Sequence, residues 1–269
     1  MALNLFQGFL LGVIQGITEF LPVSSSGHLV IAQHLFGVSG DVLAFDVAVH
    51  VGTLLAVLIA LRDDVAVLFS GLRPGRDSQA RSGRRLIALL IVGTIPAVVV
   101  GLLWRDIIAG FFSSLAITGF MLLVTGTLLY GADRTKTEGL RLETLRASDA
   151  FLIGCGQALA VMPGLSRSGT TISVALRRGV IGDDAARFSF LLSIPVILGA
   201  AVLELPEALK AGTGLRTSVL IVGLLTAAVT GYAAISMLKY LIREGRLRLF
   251  AYYTWVVGVL VLLAAYLGV

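Results

Sequence analysis

The sequence predicts an all-α polytopic membrane protein, an inverted repeat with one re-entrant helix–loop–helix hairpin and three transmembrane helices in each half. That makes six spans and two hairpins. Three observations lead there. The 269 residues are 57% hydrophobic and only 14% charged, with a mean hydropathy of +0.95, whereas a soluble globular domain carries about 25% charged residues. Six apolar runs have the length of a bilayer span, at about 42–61, 86–104, 111–131, 185–204, 217–238 and 250–268. Two further apolar stretches are broken in the middle, and they resemble each other.

The broken stretches are 4–38, interrupted by residues 22–28 (PVSSSGH), and 150–182, interrupted by residues 163–171 (PGLSRSGTT). Each half-segment is too short or too polar for a comfortable span. Backbone that leaves the helix at membrane depth must be shielded by protein or line a wet cavity, so both stretches read as re-entrant hairpins. Shifting the first by 142 positions superimposes Gly12 on Gly154, Gln15 on Gln157, Ser24 on Ser166, Ser26 on Ser168 and Gly27 on Gly169. Three spans follow each hairpin. The expected organisation is a first repeat at 1–135 and a second at 148–269 within one integral membrane domain. A hairpin plus three spans crosses the membrane an odd number of times, so the copies must be inverted, as in many transporters.

Charge orients the chain. Loops 62–85, 132–149, 177–187 and 239–249 share one side under this topology and hold 17 of the 21 Lys and Arg. By the positive-inside rule that side is cytoplasmic. The first hairpin then enters from the outer face, the second from the cytoplasm, and both termini lie outside. The basic balance belongs to these loops and not to a nucleic-acid surface. Cys155 is the only cysteine, which excludes an intrachain disulfide. No Lys or Arg precedes Arg62, so the N-terminus is not expected to be a typical cleaved signal peptide.

The hairpins hold the polar chemistry. Gly8, Gly12, Gln15 and Glu19 follow i, i+4, i+7, i+11 spacing and share one helix face. An ionisable residue in a span points to function, although Glu19 could instead sit at an interface or cap a neighbour. Ser24, Ser25, Ser26, Gly27 and His28 offer hydroxyls, a glycine and an imidazole at a helix start, a cradle for an anion; the plain alternative is a serine-rich helix cap. The partner loop offers Ser166, Arg167, Ser168, Gly169 and Thr170, and a guanidinium suits bidentate phosphate contact. Arg167 could equally be the ion partner of Glu19. Position for position, Ser25 faces Arg167 and His28 faces Thr170, while Glu19 faces Val161. Brought together, the two tips would supply a nucleophile, an acid/base group and a charge clamp for phosphoryl transfer. Asp46 and His50, at i and i+4 near the start of the span 42–61, would either support this site near the outer mouth or lie at the interface.

The segments QGITEFLPVSSSGH (15–28) and PGLSRSGT (163–170) resemble the two signature motifs of the bacterial undecaprenyl-diphosphate phosphatase (bacitracin-resistance) family. The resemblance extends over nearly the whole chain. It implies hydrolysis of undecaprenyl diphosphate to undecaprenyl phosphate and inorganic phosphate, recycling the lipid carrier of peptidoglycan synthesis. It also implies an outward-facing site in the bacterial inner membrane and a divalent cation, Mg2+ or Ca2+, on Glu19 and Gln15. Many relatives have Glu where this chain has Gln15, which leaves fewer metal ligands. The expected catalytic set is Glu19, Ser25, His28 and Arg167, with Gln15, Ser24, Ser26, Gly27, Ser166, Ser168, Gly169 and Thr170 binding the phosphates. Serine, histidine and water all remain open as nucleophile. The expected partners are the polyprenyl diphosphate and membrane lipid, with no nucleic acid and a homodimer left open. A transporter or flippase for an anionic lipid or solute would use the same architecture, and a lipid-binding subunit of a larger complex is a third class.

Overall fold

The computed structural model describes residues 3–38, 42–75, 77–135, 139–210 and 216–268. Regular structure among them is helical, apart from an isolated parallel bridge between Leu140 and Val180. The order is α1 (Leu5–Phe20), α2 (Ser25–Leu35), α3 (Leu43–Ala60), α4 (Arg62–Gly71), α5 (Ser78–Leu103), α6 (Arg105–Phe111) and α7 (Leu115–Asp133). A short 3-10 turn (Leu142–Thr144) follows, then α8 (Ala147–Leu159), α9 (Arg167–Arg177), α10 (Gly182–Lys210), α11 (Thr217–Arg243) and α12 (Arg248–Leu267). Six of these, α3, α5, α7, α10, α11 and α12, are long and apolar enough to cross a membrane. The chain is a polytopic α-helical membrane protein.

Helix ends differ from the hydropathy boundaries for local reasons. Expected from 86, α5 begins at Ser78, because Asp77 caps it by accepting from the Ala80 N–H at 2.6 Å and no breaker separates its arginine-rich first turns from the apolar run. Hydropathy marks only the part of a helix that meets hydrocarbon. Expected from 111, α7 starts at Leu115, where the Ser114 hydroxyl caps Ile117 N–H and ends the separate turn of α6. Ahead of α1 the Asn4–Gln7 capping box supplies both reciprocal bonds, at 2.9 and 3.0 Å.

The two interrupted stretches form pairs of short helices: α1 with α2, and α8 with α9. Their contacts repeat with exchange of halves. α1 packs on α11 as α8 packs on α5; α3 packs on α11 as α10 packs on α5; α3 meets α10, and α7 meets α12. Both α1–α11 and α8–α5 close through glycine. A Cβ on Gly12 would stand 2.6 Å from the Gly223 carbonyl oxygen, and one on Gly154 would collide with the Gly93 carbonyl. Small residues let backbones approach where lipid offers no hydrophobic drive for association. The larger buried cluster surrounds Phe20, Phe188, Phe190 and Leu191, and a smaller one holds Leu11, Phe45, Val49 and Val219.

Asp64, Asp149 and Asp184, at the arginine-rich end, are buried with partners. Arg187 is paired with Asp64 and with Asp184 (3.1 Å), and Arg178 holds Asp149 at 2.8 Å. Buried charges tolerate no other arrangement. These pairs tie the loop ends of α4, α8, α9 and α10 together and leave the short-helix tips as the other charged interior.

Candidate active site

Both tips are built the same way. Ser24 caps α2, its hydroxyl accepting from Gly27 N–H at 3.3 Å, and Ser166 caps α9 through Gly169 N–H at 3.0 Å. Hydroxyl pairs Ser24–Ser26 and Ser166–Ser168 lie at 3.3 and 3.2 Å. The Ser-x-Ser-Gly pattern is thus a capping device used twice. It leaves the middle residue of each motif, Ser25 and Arg167, pointing elsewhere.

The tips touch each other. A Cβ on Gly27 would lie 3.1 Å from Gly164 Cα, one on Gly169 would lie 3.2 Å from Pro22 Cβ, and Ser168 Oγ donates to the Leu21 carbonyl at 3.3 Å. This contact carries Arg167 to the C-terminal end of α1. There its Nη2 donates to Glu19 Oε1 at 2.6 Å and its Nη1 to the Ser189 carbonyl at 3.1 Å. The other carboxylate oxygen, Glu19 Oε2, accepts from Ser25 Oγ at 2.6 Å and from Gln15 Nε2 at 3.1 Å. Glu19 is 8% exposed and Arg167 14%, so the charges face each other with little water between them. Arg167 uses two of its five N–H donors in these bonds.

His50 on α3 approaches the same carboxylate, its Nε2 standing 3.9 Å from Glu19 Oε2. Its Nδ1 lies 2.7 Å from the Asp46 carbonyl. A carbonyl can only accept, so Nδ1 holds the proton and Nε2 in the neutral ring presents a lone pair toward Glu19. The i, i+4 spacing of Asp46 and His50 signalled this face. Ser189 had no sequence signal: an unremarkable α10 residue meets Arg167 only because the chain brings α10 and α9 together.

His28 is placed differently from an acid/base partner of Ser25. Its Nδ1 donates to the Ser24 carbonyl at 2.7 Å, and its Nε2 lies 2.9 Å from the hydroxyl of Tyr253 on α12, with the two rings stacked at 5.7 Å. Ser24 is the one non-glycine residue with positive φ among the described residues (74°). Such a backbone costs roughly 1–3 kcal/mol and persists where neighbours hold it; the His28 ring and main-chain N–H both bond the Ser24 carbonyl. Of the expected phosphate ligands, Ser24, Ser26, Ser166 and Ser168 are engaged in the caps, and Gly27 and Gly169 form the contact between tips. Thr170 is buried with its hydroxyl unpaired, as is the Gln15 Oε1 atom.

The fold and site define a multi-pass membrane protein with a hydroxyl, a carboxylate and a guanidinium assembled at the junction of two broken helices. Residues 8–260 match the family described as bacitracin resistance protein BacA, and the chain belongs to that family. It is 43% identical to the undecaprenyl-diphosphatase of Halothermothrix orenii, over 98% of this chain and 99% of that protein. The undecaprenyl-diphosphatase of Desulforapulum autotrophicum is likewise 43% identical, over 99% and 100% of the two chains. That of Desulfosudis oleivorans is 45% identical over 94% and 95%.

Proposed function

We propose that this chain is an integral membrane phosphatase that hydrolyses undecaprenyl diphosphate to undecaprenyl phosphate and inorganic phosphate. It thereby recycles the lipid carrier of peptidoglycan synthesis and confers resistance to bacitracin. The observation that carries the reading is the short Ser25–Glu19 bond beside a guanidinium that arrives from the other half of the chain. Full-length relatives named for this activity support it. A hydroxyl held on a carboxylate beside a guanidinium favours phosphoryl chemistry over a transporter's anion site.

In the chemistry we infer, Ser25 Oγ attacks the terminal phosphorus and passes its proton to Glu19 Oε2. The bond from that phosphorus to the bridging oxygen breaks, and that oxygen leaves with the lipid monophosphate. Arg167 meets the charge on the phosphoryl oxygens with its unused donors. Glu19 hands its proton to His50 Nε2, which requires the 3.9 Å gap to close or a water to bridge it, and His50 then releases that proton to solvent before the next turnover. Glu19 then accepts a proton from water as that water displaces Ser25 from phosphorus and returns it to the serine oxygen. His28 holds the Ser24 backbone so that Ser25 faces Glu19.

Gln15 Oε1, Glu19 and Ser25 Oγ are hard oxygen donors of the kind that Mg2+ or Ca2+ takes, and the unpaired, buried Gln15 Oε1 fits such an ion. Among the described residues no group of three His, Cys, Asp or Glu forms a complete metal site, so substrate oxygens would fill the remaining positions. When bound there, the ion would neutralise diphosphate charge. We further read the two short-helix pairs as re-entrant hairpins of an inverted repeat, in the inner membrane, with the site opening to the outer face. The exchanged packing of helices and the lopsided arginine distribution support that orientation. Release of inorganic phosphate from a lipid diphosphate by the purified protein in detergent, where no compartments exist, tests the reading; no release with an intact fold would refute it.

A further inference from the structure

At the arginine-rich end, α5 and α8 run in the same direction and touch most closely at Gly93 and Gly154. Arg85 and Arg146 each precede their glycine by eight residues, about 12 Å along the axis. Over that length the helices part and leave a groove of about 440 Å³. Leu89 and Leu145 form its buried floor, Ala88, Val92 and Ala147 its sides, and the two arginines its head.

Beyond the groove the exposed faces of both helices stay apolar. Arg85, Ala88, Val92 and Ile95 share one face of α5, and Ile95 is exposed; Ala147 and Phe151 share one face of α8, and Phe151 is exposed too. Neither arginine is neutralised: among the described residues no ion pair involves Arg85 or Arg146. Arg85 donates to the carbonyls of Leu142 and Leu145 at 3.3 and 2.5 Å, which fixes its guanidinium over the groove. Asp149, the nearby carboxylate, is already paired with Arg178. Two cations above an apolar gutter at membrane-interface depth match one ligand, a phosphodiester headgroup with an acyl chain below it. The fold does not impose this pair: at the matching crossing of α1 and α11, the residue corresponding to Arg146 is Asn4, which caps its own helix.

We propose that this groove is a specific site for an anionic phospholipid of the leaflet facing the arginine-rich loops, separate from the diphosphate site. The test titrates detergent-purified protein with short-chain phosphatidylglycerol or phosphatidylcholine of the same chains and reads bound lipid by native mass spectrometry. The wild type should prefer phosphatidylglycerol, and Arg85→Gln with Arg146→Gln should lower that preference by about 30-fold, the contribution of two arginines near a lipid surface. Arg167→Gln should leave the preference intact. Because Arg85 also ties down the turn before α8, Arg146→Glu alone serves as the second variant; it should lose the preference while phosphate release in detergent stays at the wild-type rate. Equal binding of the two lipids by the wild type, retention of the preference in Arg146→Glu, or its loss in Arg167→Gln would each overturn the proposal, the last by putting the lipid in the diphosphate site.

Discussion

Replacing Arg167 by lysine keeps the charge at the junction of the two tips but removes the fork. In the structure Nη2 reaches Glu19 Oε1 while Nη1 reaches the Ser189 carbonyl, and a single ammonium on a flexible stem cannot reproduce both together with a phosphate contact. Losing one preorganised donor to the developing phosphoryl charge costs on the order of 10²–10³ in turnover, so Arg167→Lys should retain at most about 1% of the activity. Arg167→Ala should be slower still and should also unfold more easily, because it strands the buried Glu19 carboxylate, at roughly 3–5 kcal/mol. Glu19→Ala strands Arg167 in the same way. The double variant Glu19→Ala with Arg167→Ala removes both charges and should recover much of the stability lost in either single variant while remaining inactive. The assay is a double-mutant cycle read in thermal unfolding and in phosphate release from a lipid diphosphate. Near-wild-type turnover by Arg167→Lys, with stability rescue in the double variant, would make the arginine a structural counter-ion and would refute the assembly of the site proposed above.

Ser25→Ala should lower phosphate release by several orders of magnitude, as expected for a nucleophile; a variant retaining a tenth of the activity would make the serine a positioning group and water the attacker. His50→Gln should slow turnover roughly 10²-fold, the lower end of the range for positioned proton acceptors, and should change the pH–rate profile. An unaltered profile would leave His50 as a bystander beside Glu19. Gln15→Glu should stay active and become more sensitive to a chelator, by adding a carboxylate to the oxygen donors around Glu19; chelator-independent turnover in both forms would remove the cation from the reaction. In a Cys155→Ala background, an impermeant thiol reagent applied to intact cells should label Arg105→Cys and spare Arg141→Cys and Arg246→Cys. Labelling of the latter two from outside would reverse the orientation.

The sequence alone determined the class of the protein, because hydrophobic length and scarce charge leave a chain few choices in a bilayer. Six spans were legible as apolar runs, and the two interrupted stretches as breaks in otherwise apolar sequence. Glu19 and Arg167 were legible as charges within the two interrupted stretches, and their pairing as the alternative to a phosphate clamp. Helix ends were not legible to the residue, since α5 owes its start to the Asp77 cap and not to hydropathy. Tertiary structure alone sorted the serines. Ser24 and Ser166 are consumed in capping, while Ser25 donates to Glu19, a division that depends on which way one turn of backbone faces. It alone gave His28 a partner on α12 and put Ser189 under Arg167, 22 residues along the chain. It also brought His50 to the carboxylate from a neighbouring helix. Spacing along one helix is written in local sequence because 3.6 residues per turn fixes it, whereas contacts between helices follow from which backbones can approach. Here glycines such as Gly12, Gly93 and Gly154 decide that approach, and they mark where helices meet without naming the partner.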